Sequence, residues 1–376
     1  MTEEQYFPQN YESSRLSFRS AIESIREKWP DAQLKKYMVD TADDLSIDWI
    51  EAFPPNGDLL LVITTGEHGI EGYIGSAVLQ MLIHDYLPKM DAKATGLALV
   101  HTINPWGMKY NRRTNKANVD LNRNFVSDPL ALDRAVNLDY AKLNRFLNPK
   151  GKILNIGMDR FMFLPKLLFN GLMGGFTQFK KATLAGQYAN PQGIYYGGRG
   201  VQPETRQLMG LYAQWYGRYK KIVHIDLHSG YGPRYRMSMV NSVYEEKSST
   251  DYQILFDYPL VVKTSHEEFY QINGDMIDYV YQFMARDWPQ KKFFATCFEF
   301  GTLGDKTAAN IKGLQTLISE NQAFHYGTLK QKDMDKIKTD FMEMFFPSEE
   351  AWRKIALDNA RQAFNGIFKT WGIIGS

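Results

Sequence analysis

Residues 59–72 read LLLVITTGEHGIEG. Leu59 to Thr65 is a continuous apolar run of strand length that ends on Gly66, as expected of a buried parallel strand feeding a turn. Tyr73 to Leu87 then has helical length. Working outward, Gly96–Ile103, Lys221–Leu227, Leu260–Lys263 and Phe293–Phe300 read as further strands. Asn10–Trp29, Glu204–Tyr219, Thr307–Glu320 and Ser348–Trp371 read as helices. Strands alternating with helices predict an α/β fold with a mixed, largely parallel central sheet flanked by helices, and functional groups gathered at the carboxyl ends of strands. No Pro/Gly/Ser-rich linker or internal repeat divides the chain, so residues 1–376 are expected to form a single domain. Residues 127–192 have no clean strand signal and are expected to be an insertion or lid beside the site.

The 376 residues carry 44 Lys plus Arg against 42 Asp plus Glu, a net charge of +2. That balance gives no field for a phosphate backbone and argues against nucleic acid or a membrane surface as partner. One cysteine, Cys297, excludes an internal disulfide framework and Cys-rich zinc modules, and fits a reducing compartment. The N-terminus lacks a basic head followed by an apolar run, so a cytoplasmic location is expected. The most apolar stretch, Phe161–Phe176, is interrupted by Pro165, Lys166 and Asn170 and is too short to span a bilayer. It reads as a buried helix-turn, with an apolar lid or an oligomer contact as the alternative.

The chemistry begins in the opening stretch. His68 and Glu71 stand three apart on a tight turn and can reach one cation, while Gly66, Gly69 and Gly72 let backbone approach closely. Alone, such a pair is a common chance match. No Gly-Lys-Ser/Thr follows, which argues against a phosphate loop. His228, at the end of the strand in HIDLHSGYGP, can point into the same crevice. Two histidines and a glutamate leave a fourth zinc position open for water, as hydrolysis requires. His224 reads as a satisfied core histidine. Asp226 shares its strand face and could orient a ligand. Glu67 reads as a solvated neighbour, with a second metal or a cationic substrate as alternatives.

Asn104-Pro-Trp-Gly, then Arg112-Arg113, then VDLNRNF (119–125) and finally EFGT (299–302) complete an ordered set. With the HxxE pair and the strand-end histidine, this set resembles the zinc carboxypeptidases of the carboxypeptidase A-like family, and GQYANPQGIYYGG (186–198) suggests a poorly characterised bacterial branch. The resemblance implies one zinc ion per chain, held by His68, Glu71 and His228, with Asp120 orienting His68. It implies Asn122 and Arg123 as the clamp for a substrate carboxylate, Arg113 (less readily Arg112) at the developing oxyanion, and Glu299 as general base and acid. YQINGDMIDY (270–279) is similar to the family stretch carrying a substrate-capping tyrosine, here Tyr270, and a side-chain selector, here Ile277. The implied activity is hydrolysis of a C-terminal peptide bond in a substrate with a free carboxylate. Hydrolysis of N-acyl amino acids by a related zinc amidohydrolase is the alternative, and a catalytically inactive binding module with the same fold is a second.

Overall fold

In a computed structural model, residues 3–126, 128, 137–174, 185–263 and 274–375 are described, without the side chains of 171–174. Eight strands form one sheet: β1 (Gln33–Asp40), β2 (Leu45–Ala52), β3 (Leu59–Thr65), β4 (Thr95–His101), β5 (Lys221–Ser229), β6 (Met237–Asn241), β7 (Val261–Lys263) and β8 (Lys292–Phe300). Their order is β1-β2-β4-β3-β5-β8-β6-β7. The four central strands, β4-β3-β5-β8, run parallel, whereas β1, β2 and the β8–β6 pair are antiparallel. The expected mixed, largely parallel sheet is present.

Every residue of β3 and β4 is buried because both sheet faces are covered, which is why these strands are apolar without alternation. Leu59, Leu61 and Ile63 join a core with the helices Tyr11–Arg26, Gly72–Asp85 and Glu350–Trp371. Leu60 and Val62 face the other way, into a core with the helices Pro203–Arg218 and Met276–Asp287.

The readings missed β1, β2 and β6. In β2 the apolar signal is broken by two buried acids: Asp48 is bound by Arg19 and Ser46, and Glu51 by Lys35, Trp49 and Trp215. β1 is an edge strand, half-exposed and charged, and β6 is only five residues long.

Between residues 127 and 192 the described residues add no strand; they form the helices Leu138–Leu147 and Ile156–Gly174. The buried reading of Phe161–Phe176 holds for one face only. Phe163 and Leu167 are buried with Leu143, Leu147 and Ile318, but Phe161, Met162, Leu164, Leu168 and Phe169 are exposed, because no described element packs on that side. No helix among the described residues is long and apolar enough to cross a membrane.

Candidate metal centre

The site sits at the carboxyl ends of the parallel strands. Gly66, with φ of 66°, turns the chain out of β3 in a left-handed conformation that side-chain-bearing residues resist. His68 follows, and Gly69–Glu71 form a single 3-10 turn. Backbone carbonyls of Arg113 and Arg112 accept the N–H groups of Gly69 (3.2 Å) and Ile70 (2.9 Å), so the metal turn and the arginine segment are joined. A Cβ on Gly69 would come within 2.1 Å of the Gly107 backbone. This explains Gly69; at Gly107 a Cβ would meet the Asn104 side chain at 2.5 Å, and that side chain accepts from Gly107 N–H at 2.8 Å.

Nδ1 of His68 lies 2.9 Å from one Glu71 oxygen, and Nδ1 of His228 lies 2.9 Å from the other. One ligand atom from each of His68, Glu71 and His228 falls within 4.8 Å of the other two, and all three residues are buried. The two rings stand edge to face, with centroids 5.0 Å apart. Each outer nitrogen meets a carboxylate: His68 Nε2 lies 3.0 Å from Asp120, and His228 Nε2 bonds Asp226. Asp226 is itself held by the Thr64 hydroxyl, which donates at 2.6 Å. Rings fixed in this way direct Nδ1 lone pairs at a shared point, so the donor set fits a divalent cation such as zinc.

The electrostatics agree with that fit. Burial opposes protonation of both histidines, as does the Arg113 charge at His68, but Glu71 and Asp120 around His68, and Cys297, Asp226 and Glu67 around His228, outweigh this and raise both pKa values. Glu71, although buried, is held well below the usual carboxylate range by the two histidines. Asp120 is similarly depressed against its burial by Arg113 and Arg123.

Glu299 lies on β8 directly beside His228 in the parallel register. Burial and the nearby charge of Glu71 push it up to about 7, and the N–H of Tyr231 donates to it at 2.9 Å. Arg113 donates to Asp120 at 2.6 Å, and its other nitrogen is 2.7 Å from His68 Nε2. Arg123 is buried, with Nη1 3.9 Å from Asp120. The Asn122 side-chain carbonyl accepts from the N–H of Met276 at 3.1 Å.

Arg112 and Ile277, also named from the sequence, have the following surroundings. Arg112 pairs with Glu320 at 2.9 Å and stacks on Phe324, 3.6 Å from the ring centroid. Ile277 is buried in the apolar cluster with Phe125, Tyr279 and Val280. Tyr270 falls outside the described residues.

Glu67 is a correction: it is not solvated but 1% exposed, with one oxygen 3.3 Å from His228 Nε2, and burial and Asp226 push it up to about 7. One of its oxygens shares a buried cluster with Asp226 and His228, all within 4.8 Å of one another. His224 is the core histidine expected, bound by Thr64 at 2.9 Å and Tyr216 at 2.7 Å.

Sequence reading also assigned no role to Tyr195, yet its ring lies 5.5 Å from the Arg113 guanidinium and 5.9 Å from that of Arg123. Nothing local marks it; only its neighbours in GQYANPQGIYYGG, where Tyr188 donates to the Arg123 carbonyl at 2.8 Å, tie that run to the arginines.

The helix Gln331–Phe345, also unread in the sequence, supports the loops of the site from behind. Ile70 packs on Phe341, Met344 and Phe345. Ser229 donates to the Phe345 carbonyl at 2.6 Å, and Thr302 donates to that of Met344 at 2.6 Å.

A family model, "Protein of unknown function (DUF2817)", matches residues 7–359. The chain belongs to this family. No curated protein matches the DUF2817 chain by sequence. Among solved structures it is similar to bovine thrombin-activatable fibrinolysis inhibitor in complex with tick carboxypeptidase inhibitor, at 14% identity over 91% of this chain and 97% of that one, with a TM-score of 0.45. It is also similar to carboxypeptidase A from Helicoverpa armigera (13% identity, 89% and 73% covered, TM-score 0.47). A third is a metallo-carboxypeptidase from Burkholderia cenocepacia (10% identity, 87% and 66% covered, TM-score 0.38).

Proposed function

We propose that the protein is a zinc-dependent metallocarboxypeptidase, hydrolysing a C-terminal amide bond next to a free carboxylate. The observation that carries this reading is the convergence of His68 Nδ1, Glu71 and His228 Nδ1, each ring backed by a carboxylate, with Glu299 in register beside His228. His68, Glu71 and His228 would hold the ion, which when bound supplies Lewis-acid polarisation of a carbonyl and acidifies water.

The chain's own groups supply the rest. Glu299, with a carboxyl pKa near neutrality, accepts the proton of the attacking water and returns it to the departing nitrogen. His68 Nε2 stands between two partners that demand opposite tautomers: Asp120 needs an N–H there, whereas Arg113 needs a lone pair. Were His68 to hold an ion through Nδ1, its Nε2 would carry the proton and favour Asp120, which would leave one arm of the Arg113 guanidinium available for oxyanion charge. Asn122 and Arg123 are suited to clamp the substrate carboxylate.

The test begins with metal content. About one zinc per chain, absent in His68→Ala, is expected. Glu299→Gln should keep its zinc and lose turnover by roughly 10²–10⁴-fold against a panel of dipeptides and N-acyl amino acids. Full activity in that variant would remove Glu299 from the mechanism. Amidating the substrate's carboxylate should cost most of kcat/KM, and Arg123→Ala should raise KM for the free acid while leaving the amide unaffected. Equal cleavage of acid and amide by the unaltered protein would exclude a carboxypeptidase.

A further inference from the structure

On the Ile156–Gly174 helix, Met158, Phe161, Met162, Leu164, Leu168 and Phe169 are all exposed, Phe161 by 75% and Phe169 by 67%. At about 100° per residue these positions share one side, and Phe163 and Leu167, on the opposite side, are buried. The helix is therefore fixed by its inner face while presenting a second apolar face outward. Arg160 pairs with Asp340, and its carbonyl accepts from Gln315 at 3.2 Å, which fastens the helix further. Leu154, just before the helix, is also exposed. Contiguous apolar faces of this kind on soluble chains mark an interaction surface.

The charge around the face selects its partner. Residues 137–174, the segment that carries this helix, contain six Lys and Arg against two Asp, in a chain whose total is only +2. Arg145, Lys150, Lys152 and Lys166 are exposed. Whole-chain balance averages this local excess away, which is why composition argued against a membrane partner. A second copy of the chain would bring two segments of like net charge together, whereas an anionic lipid surface would satisfy both that charge and the apolar face.

We propose that this helix docks in the interface of an anionic bilayer, lying along it without spanning it. The cluster that anchors its inner face includes Ile194, with Tyr195 packed against it. A docked helix would therefore hold the arginine side of the candidate site close to the lipid surface. The proposal does not depend on the hydrolase reading.

Co-sedimentation of the full-length protein with vesicles tests it. Vesicles containing phosphatidylglycerol should pellet the protein, and pure phosphatidylcholine vesicles should not. Binding should weaken as salt rises. Phe161→Asp/Phe169→Asp should lower the partition coefficient at least about tenfold with an unchanged thermal midpoint, since both side chains are exposed. Lys152→Glu/Lys166→Glu should abolish the preference for anionic lipid. Failure to pellet with either vesicle at low salt would overturn the proposal, as would equal pelleting of the Phe variant. A dimer that the Phe variant dissolves, without vesicle binding, would overturn it in favour of a second copy.

Discussion

His228 shows how a single side chain depends on what lies behind it. Its Nδ1 faces the candidate metal position, and its Nε2 is held by Asp226, which the Thr64 hydroxyl secures at 2.6 Å. Replacing Asp226 with Asn keeps the shape but removes the anionic acceptor that orients the ring and raises its basicity. Carboxylate partners of this kind are worth about 10–100-fold in metal affinity. Asp226→Asn should therefore weaken zinc binding within that range, measured by competition with a chromogenic chelator, and an unchanged affinity would assign the role to Glu67 alone. Residue types and spacing put His68, Glu71 and His228 forward as a possible set, whereas Asp120 and Glu299 entered only through the resemblance carried by VDLNRNF and EFGT. Glu67 was misread because its burial is shared with Asp226 and His228, residues distant in sequence, which no local pattern reports.

At the level of elements, legibility followed burial. β3 and β4 are covered on both faces and read as continuous apolar runs, while β5 and β8 keep enough apolar residues around His224, Asp226, His228 and Glu299 to be read as strands. β2 is equally buried but carries Asp48 and Glu51, whose partners include Arg19 and Trp215 from helices distant in sequence, so its pattern is legible only once those partners are known. The helix Gln331–Phe345 was hidden differently. Its role is to accept contacts from Ile70, Ser229 and Thr302, three residues with no common sequence signal. The turn it supports has no slack. A methyl at Gly69 would sit 2.1 Å from the Gly107 backbone, which is backbone against backbone and cannot be relieved by a rotamer change. Gly69→Ala should cost about 1–3 kcal/mol of stability through overpacking. It should also weaken zinc binding, because Ile70 and both flanking ligands shift with the turn. Normal thermal stability with normal zinc affinity would mean that the turn and the Asn104–Lys109 segment can separate without consequence.

Across the whole molecule the buried charges of the site make stability a function of pH and metal together. Without metal, Glu67 and Glu299 have folded pKa values of about 7, against roughly 4.3 for an unperturbed glutamate. A raised carboxyl value means the folded state keeps a proton that the unfolded chain has lost. That contribution is complete below the unfolded value and disappears as pH rises through 7. His68 and His228 are raised as well, so theirs is present below about 6.5 and lost as pH climbs through their folded values. Glu71 and Asp120 act in the opposite sense, being depressed, but their loss occurs only as pH falls below the ordinary carboxylate range of about 4. Between pH 5 and 8 all four raised groups therefore push in one direction, and metal-free protein should lose on the order of several kcal/mol over that interval. A divalent cation replaces the histidine protons and neutralises the clustered carboxylates, so its affinity should rise with pH as ligand protons are released. Thermal melts of chelator-treated and zinc-loaded protein at pH 5, 6, 7 and 8 check this. The metal-free midpoint should fall steadily and the gap to the loaded form should widen. Parallel curves would mean that the ion, if bound, is held away from His68, Glu71 and His228.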